Sequence, residues 1–223
     1  MNTIQKITWR SFESKVYSWY WLTLDWLFPP TCFNCGSEGY RICPQCQDSF
    51  DRTDATICSI CGRRVRSPSI CYQCRIKKPN FDQLRSLYDF KGTVREAIHR
   101  LKYENDMGLA EKLADHLIDF FENQGWQVDM VIPMPLFESR QTERGYNQSA
   151  LLAIPMSLKL GVKYRSNAII RVKNTRSQVG LSEAERWKNV SDAFLANPQI
   201  INGKSILIID DVSTTGATMN AAA

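Results

Sequence analysis

Two consecutive carboxylates and a run of hydroxyls stand together near the end of the chain, in Asp210-Asp211-Val212-Ser213-Thr214-Thr215-Gly216-Ala217-Thr218. Four apolar residues, Ile206 to Ile209, precede them and read as a buried parallel strand that delivers both aspartates to its carboxyl end. The chain then turns into a helix. Gly216 lets the backbone approach an anion closely, and Thr214, Thr215 and Thr218 add hydroxyl donors to the amides of the Gly216-Ala217 turn. Such a turn fits a phosphate monoester. Two carboxylates beside it would repel that phosphate, so Asp210 and Asp211 are expected to face ribose hydroxyls or a hydrated magnesium ion. A Walker B strand is the rival reading, and it demands a Gly-x-x-x-x-Gly-Lys-Ser/Thr loop. Gly203-Lys204-Ser205 is the only partial match, but position 198 is proline and the tripeptide precedes a strand, so the ATPase reading fails.

A second group with chemistry is the cysteines. All eight fall between positions 32 and 74, in the pairs Cys32/Cys35, Cys43/Cys46, Cys58/Cys61 and Cys71/Cys74. A secreted disulfide framework can hold eight cysteines, but a two-residue spacing repeated four times is the geometry of metal knuckles. Four thiolates close one tetrahedral site, so two structural zinc ions are expected, with no open position for a catalytic water. Sequential pairing joins the first four cysteines and the last four; crossed pairing stays open, as do an iron-sulfur cluster and redox dithiols. Thiolate coordination suits a reducing compartment, which points to the cytoplasm.

Charge forms the third group. The formal net charge is +5, and between Cys32 and Lys78 eight Arg and Lys face four acids. Within that segment Arg63, Arg64, Arg66, Arg75, Lys77 and Lys78 surround Tyr72 with no acid among them. A basic strip with an aromatic can follow a phosphate backbone and stack a base, as single-strand binders do; a solvated basic face is the plainer reading of equal weight. Arg140 and Arg144 lie just past a strand end, where guanidinium groups can clamp a pyrophosphate, against the alternative of surface arginines on a loop.

These groups need elements to hold them. Residues 1–30 read as an aromatic helix stopped by Pro29-Pro30, residues 31–79 as a double zinc-ribbon module, and 80–223 as an α/β domain. The helix, with Tyr17, Trp19, Tyr20, Trp21, Trp26 and Phe28, is expected to pack its aromatic face on the neighbouring module, with a membrane-surface or partner contact as the alternative. At Val16 to Phe28 it is too short for a membrane span, which needs about 18 apolar residues, and it contains Asp25. The cysteine module has too few large apolar residues for a core of its own, so metal must supply its folding free energy.

After Pro79 the pattern predicts a strand over Leu84 to Phe90, a helix carrying Val94, Ala97, Ile98 and Leu101, and a second helix striped by Leu109, Leu113, Leu117 and Phe121. His99 and His116 read as helix-surface residues with no metal or catalytic role. Val128 to Met134 is a strand, Glu138 to Gln148 an Arg-rich loop, and about Ser149 to Leu160 a helix that Pro155 should kink or interrupt. Ala168 to Val172 is a further strand, and Lys173 to Asn189 a long polar stretch. Strands alternating with helices imply a mostly parallel sheet that binds ligands at the carboxyl ends of its strands.

The Asp210-to-Thr218 run after four apolar residues resembles the signature of type I phosphoribosyltransferases, which bind phosphoribosyl pyrophosphate (PRPP). Further motifs are similar to the ComF/GntX family of competence-related proteins: Leu27-Phe28-Pro29-Pro30 before Cys32-x-x-Cys35-Gly36, Leu101-Lys102-Tyr103 with Asp106, Val131-Ile132-Pro133-Met134-Pro135-Leu136, Glu143-Arg144-Gly145-Tyr146-Asn147-Gln148, and Gln178-x-Gly180-Leu181-Ser182 with Glu185-Arg186 and Asn189-Val190. The resemblance implies a type I phosphoribosyltransferase-like parallel sheet with helices on both faces. Asp210 and Asp211 would contact the ribose 2- and 3-hydroxyls with magnesium nearby, and Thr214, Thr215, Gly216, Ala217 and Thr218 the 5-phosphate. Lys173 to Arg186 resembles the mobile loop that closes over PRPP, with Arg171, Lys173, Arg176 and Arg186 as phosphate contacts. The family continues the phosphate-binding helix and adds at least one strand, so a truncated domain is expected at Ala223.

Two functions follow. One is a PRPP-binding protein of DNA uptake in natural transformation, contacting single-stranded DNA through the basic zinc module and working with other DNA-uptake proteins. The other is an active phosphoribosyltransferase acting on a nucleobase or amine, with the zinc module as scaffold. Turnover would expel magnesium pyrophosphate from ribose C1 through a cation-like transition state. No side chain stands out as a general base.

Overall fold

The computed structural model describes residues 16–17, 19–21, 23–53, 56–67, 69–104, 106–176 and 180–223. The cysteine-rich part carries two short helices, α1 (Pro44–Asp48) and α2 (Tyr72–Ile76), and two longer ones follow, α3 (Gly92–Tyr103) and α4 (Gly108–Glu122). Then come β1 (Met130–Pro133), α5 (Glu138–Arg144), α6 (Gln148–Leu160), β2 (Lys163–Tyr164) and β3 (Ile169–Arg171). The remainder is α7 (Glu183–Val190), β4 (Phe194–Ala196), α8 (Pro198–Ile201), β5 (Ile206–Ile209) and α9 (Ala217–Ala222).

Alternating side chains of an apolar strand must be covered on both faces, and that requirement organises the α/β part. β1 lies between β2 and β5 in a parallel sheet of order β2-β1-β5, with Met130 opposite Ile206 and Pro133 opposite Ile209. Val131 packs with Leu152, Ala153 and Met156 of α6 and with α3 and α4. Met130 and Ile132 point the other way, into a cluster with Ile169, Phe194, Ile200 and Ile201. Helices therefore cover both faces, α4 and α6 on one, α8 and α9 on the other beside the antiparallel β3–β4 pair.

The cysteine module is two copies of one small motif. The Gly36 amide donates to the Cys32 carbonyl and Gly62 to Cys58; Cys32 donates to Ser37 and Cys58 to Arg63; Gln47 donates to Cys43 and Arg75 to Cys71. Each second pair opens a helix, so Cys43 precedes α1 and Cys71 precedes α2. This decides the pairing left open by spacing: Cys32, Cys35, Cys43 and Cys46 form one quartet, and Cys58, Cys61, Cys71 and Cys74 the other, the sulfurs of each within 4.8 Å of one another. A tetrahedral zinc-tetrathiolate has sulfur-sulfur edges of about 3.8 Å. Cys35 Sγ lies 3.5 Å from Cys43 Sγ and Cys61 Sγ lies 3.7 Å from Cys71 Sγ, so the quartets fit two structural zinc ions. Backbone amides support the thiolates: Cys43 N–H donates to Cys32 Sγ at 3.4 Å and Cys71 N–H to Cys58 Sγ at 3.3 Å. The first motif joins the main core through Phe33, Ile42 and Phe50, whereas the second keeps its own small cluster with Ile60 and Val65.

Several expectations change. Residues 16–17, 19–21 and 23–27 are helical and the helix ends before Pro29, but its aromatics divide. Trp21 lies under the Arg41 guanidinium at 5.1 Å and Asp25 pairs with Arg41, while Trp19, Tyr20, Trp26 and Phe28 stay exposed. Residues 1–15 and Gln178 lie outside the described residues. The expected strand over Leu84 to Phe90 is an extended segment with a single bridge, Tyr88 to Arg52, because its amides bond to the cysteine module. Pro155 does not interrupt α6: burial of Leu152, Ala153, Pro155 and Met156 between β1 and α4 outweighs one lost backbone bond. The Arg-rich loop contains α5, ended by Gly145 at φ 76°, and the long polar stretch contains α7, opened by a Ser182/Glu185 capping box. β3 pairs antiparallel with β4 outside the parallel sheet. His116 is half-buried and bonded to the Tyr88 hydroxyl at 2.9 Å, so burial holds its imidazole below the usual range.

Two outcomes follow. Metal analysis of the purified chain gives about two zinc ions, and a chelator abolishes amide protection around the cysteine helices before it affects β1. Truncating Leu101, which is fully buried on α3, to Ala costs about 3 kcal/mol in denaturant unfolding.

Candidate functional site

The β1–β5 register brings two strand ends together. Met134 N–H donates to the Ile209 carbonyl at 2.8 Å, so the turn after β1 and the aspartates after β5 start from one place. Asn147 caps α6 by accepting from the amides of Ser149 and Ala150, and its Nδ2 donates to the Met134 carbonyl at 3.0 Å. That cap aims Ser149 at the aspartates: its Oγ donates to Asp210 Oδ1 at 3.3 Å, and the Asp211 amide donates to the same oxygen at 3.0 Å. Burial raises the Asp210 carboxyl far above the usual carboxylate range, to about 8, with the Asp211 charge adding and Lys102 opposing. Asp211 turns inward, its side chain 5% exposed, and pairs with the Lys102 ammonium from the end of α3. Two adjacent carboxylates thus have different surroundings, one facing a hydroxyl and one facing a cation.

Beyond them the chain turns through Gly216, at φ 78°, into α9, and Ala217 N–H donates to Thr215 Oγ1 at 3.3 Å. Arg186 reaches this turn from α7, its Nη1 donating to Thr214 Oγ1 at 2.8 Å. Arg140 and Arg171 meet at Thr175: Arg140 Nη2 donates to the Thr175 carbonyl at 2.9 Å, and Arg171 donates to its hydroxyl. Burial lowers the Arg171 guanidinium, the neighbouring Arg140 charge adds to this, and Asp210 opposes it. Nε of both Arg171 and Arg186 is buried without a hydrogen-bond partner among the described residues. The structure therefore gathers Asp210, Thr214, Arg140, Arg171 and Arg186 around one end of the sheet.

Other predicted residues lie differently. Arg144 stacks over Tyr103 at 5.2 Å and donates to Gln148 Oε1 at 2.9 Å. Lys173 turns to the Ser191 carbonyl at 2.9 Å and to Asp192, and the Arg176 carbonyl accepts from Asn189. An open cleft of about 770 Å³ adjoins the arginines, lined by Pro133, Leu136, Asn147, Tyr164, Ile169 and Arg171 among others.

The basic strip is divided too. Arg63 pairs with Glu183 at 3.2 Å and Arg64 with Asp89. Arg66, Arg75, Lys77 and Lys78 are exposed with no ion-pair partner among the described residues, and Tyr72 on α2 is 71% exposed beside them. Sequence reasoning assigned no role to Lys102, Ser149 or Thr175. Lys102 sits within the Leu101-Lys102-Tyr103 motif, which was a usable signal; Ser149 and Thr175 carry none, since only the fold brings them to Asp210 and to the arginines.

The double zinc ribbon domain family matches residues 23–75. Over 187 residues the chain is 34% identical to the DNA utilization protein YhgH of Escherichia coli O6:H1, covering 81% of each protein. It is 27% identical over 199 residues to Competence protein F of Haemophilus influenzae, covering 80% of this chain and 87% of that protein. It is 26% identical over 190 residues to Competence protein ComFC of Bacillus subtilis, covering 82% and 76%. Two four-cysteine motifs, a parallel α/β sheet and these relatives together establish that the chain belongs to the ComF/GntX family.

Proposed function

We propose that this chain binds PRPP with magnesium at the carboxyl end of the β1–β5 pair and handles single-stranded DNA on the exposed half of its basic strip, in the cytoplasm, as part of DNA uptake. The supporting observation is the convergence of Asp210, the Thr214-to-Thr218 turn and three arginines at one strand end. Carboxylate oxygens at 210 and 211 suit ribose hydroxyls and a hard cation. The turn's amides and hydroxyls suit the 5-phosphate. Arg140 and Arg171, two like charges held together at Thr175 with no ion-pair partner among the described residues, suit the pyrophosphate, whose charge would relieve their repulsion. Bound magnesium would neutralise part of the pyrophosphate charge. Arg186 on α7 would then act as the closing contact, exchanging its bond with Thr214 for one to the ligand. Other DNA-uptake proteins are part of the same proposal as partners, supported by the two competence proteins among the relatives.

A second reading, transfer of the phosphoribosyl group to a nucleobase or amine, draws its support from the cleft of about 770 Å³ beside Arg171, which has room for an acceptor. In that case the zinc motifs serve as scaffold.

Calorimetric titration of PRPP with magnesium into the chain gives saturable heat, and Asp210→Asn weakens it about 10- to 100-fold, the worth of one or two charged hydrogen bonds; no heat from the folded wild type rejects the ligand assignment. For the strip, replacing Arg66, Arg75 and Lys77 by Ala lowers the slope of log affinity against log salt for a single-stranded oligonucleotide by about 2. Tyr72→Ala costs about 1–3 kcal/mol there. Binding that keeps its strength and salt slope in the triple variant leaves the scaffold reading.

A further inference from the structure

We propose that the second four-cysteine motif is a positioning element for the 214–220 turn, acting through Asn80, Phe81 and Leu84; its consequence for ligand binding rests on the phosphate reading above. Gly216 caps α9 without a side chain, and the bond from Ala217 N–H to Thr215 Oγ1 at 3.3 Å is a long one, so neighbours add to the order of the turn. The neighbours are residues 80–84. Asn80 N–H donates to Asn220 Oδ1 at 2.9 Å, and Asn80 Nδ2 also donates, to the Asn220 carbonyl at 3.0 Å. Phe81 and Leu84 pack with Met134, Met219 and Ala222, and a Cβ on Gly216 would stand 3.3 Å from Leu84 Cδ2. The turn is closed on this side.

The same segment is held from behind by the second knuckle. Leu84 N–H donates to the Ile60 carbonyl at 2.8 Å, and Arg85 Nη2 donates to the Ser59 carbonyl at 2.8 Å. Ser59 and Ile60 are the two residues between Cys58 and Cys61, so the backbone that grips Leu84 is the loop that metal coordination must order. The fit is tight: a Cβ on Gly62, itself at φ 66°, would lie 2.5 Å from the Leu84 carbonyl oxygen. A second, weaker line runs over the surface. Arg63 pairs with Glu183 on α7, and Arg186 of that helix donates to Thr214; the Arg63–Glu183 pair is exposed and adds direction more than strength. The first motif docks instead into the helical core by Phe33, Ile42 and Phe50. The two zinc motifs therefore have different jobs, one completing the core and one supporting the turn.

Hydrogen exchange on the zinc-loaded full chain tests this without any ligand. Leu84→Ala should keep about two zinc ions per chain and lower amide protection across residues 213–220 about 10-fold, with α4 amides unchanged and Leu84→Met restoring the turn. Cys61→Ser should lose about one zinc and loosen the same amides. Unchanged protection at 213–220 in either variant overturns the proposal, and so does an equal loss in α4, which would make the motif a support of the whole fold. In calorimetry with PRPP and magnesium, Leu84→Ala should bind about 10-fold more weakly; wild-type affinity in that variant breaks the link to the ligand. Absence of heat in the wild type rejects the phosphate reading alone, and the exchange result then decides the support.

Discussion

The parallel pairing of β1 with β5 is the constraint on which the rest of the molecule depends. Register is strongly specified wherever both faces of a strand are buried, because a slip of one residue moves every side chain to the wrong cluster. Here Val131 belongs to the helical core and Ile132 to the side of the β3–β4 pair, and that assignment sets Pro133 opposite Ile209. Everything at the site is counted from that pair. Met134 bonds across to Ile209, Asn147 bonds to Met134 and caps α6, and the capped helix presents Ser149 to Asp210.

Around that fixed point the molecule arranges charge without fully cancelling it. Asp211 is answered by Lys102 in a nearly enclosed pair, whereas Asp210 has a hydroxyl and an amide and, among the described residues, no cation in contact. A carboxyl in that condition gains from any donor or cation brought beside it. Opposite, Arg140 and Arg171 share Thr175, where burial and then the Arg140 charge add to the cost of keeping Arg171 charged. Under the proposed reading, the ligand would turn its hydroxyls to the acid and its phosphates to the crowded cations.

The cysteine module shows how one motif used twice acquires two roles. Its internal hydrogen bonds repeat from Cys32 to Cys58 and from Cys43 to Cys71, so the local fold is the same. What differs is the outer surface. Phe33, Ile42 and Phe50 on the first copy are apolar and sink into the helices, while the second copy exposes Tyr72 and its basic residues and offers backbone carbonyls to residues 84–85. The α/β part and the second copy need no long linker, because the extended segment that read as a strand serves as the joint.

Local residue order was enough for much of this. Four Cys-x-x-Cys pairs imply two tetrathiolate sites, because thiolate spacing within a knuckle is set by a few adjacent bonds. Ile206 to Asp211 implies a parallel strand ending in carboxylates, though only Ile209 of its apolar run is fully buried, and the helices carrying Leu101 and Leu109 follow from periodicity, since each signal is contained in a short window. Which cysteines share a metal, that Pro155 is carried inside a helix, and that Leu84 to Phe90 forms no strand were decided by tertiary contacts: packing energy outweighed local preference, and hydrogen-bond partners lay far away in sequence. Ser149 beside Asp210 and Thr175 beside Arg140 are pairings across 61 and 35 residues. Lys102 on Asp211 joins a helix end to a strand end in the same way, and the chemistry of all three exists only once the β1–β5 register has been set.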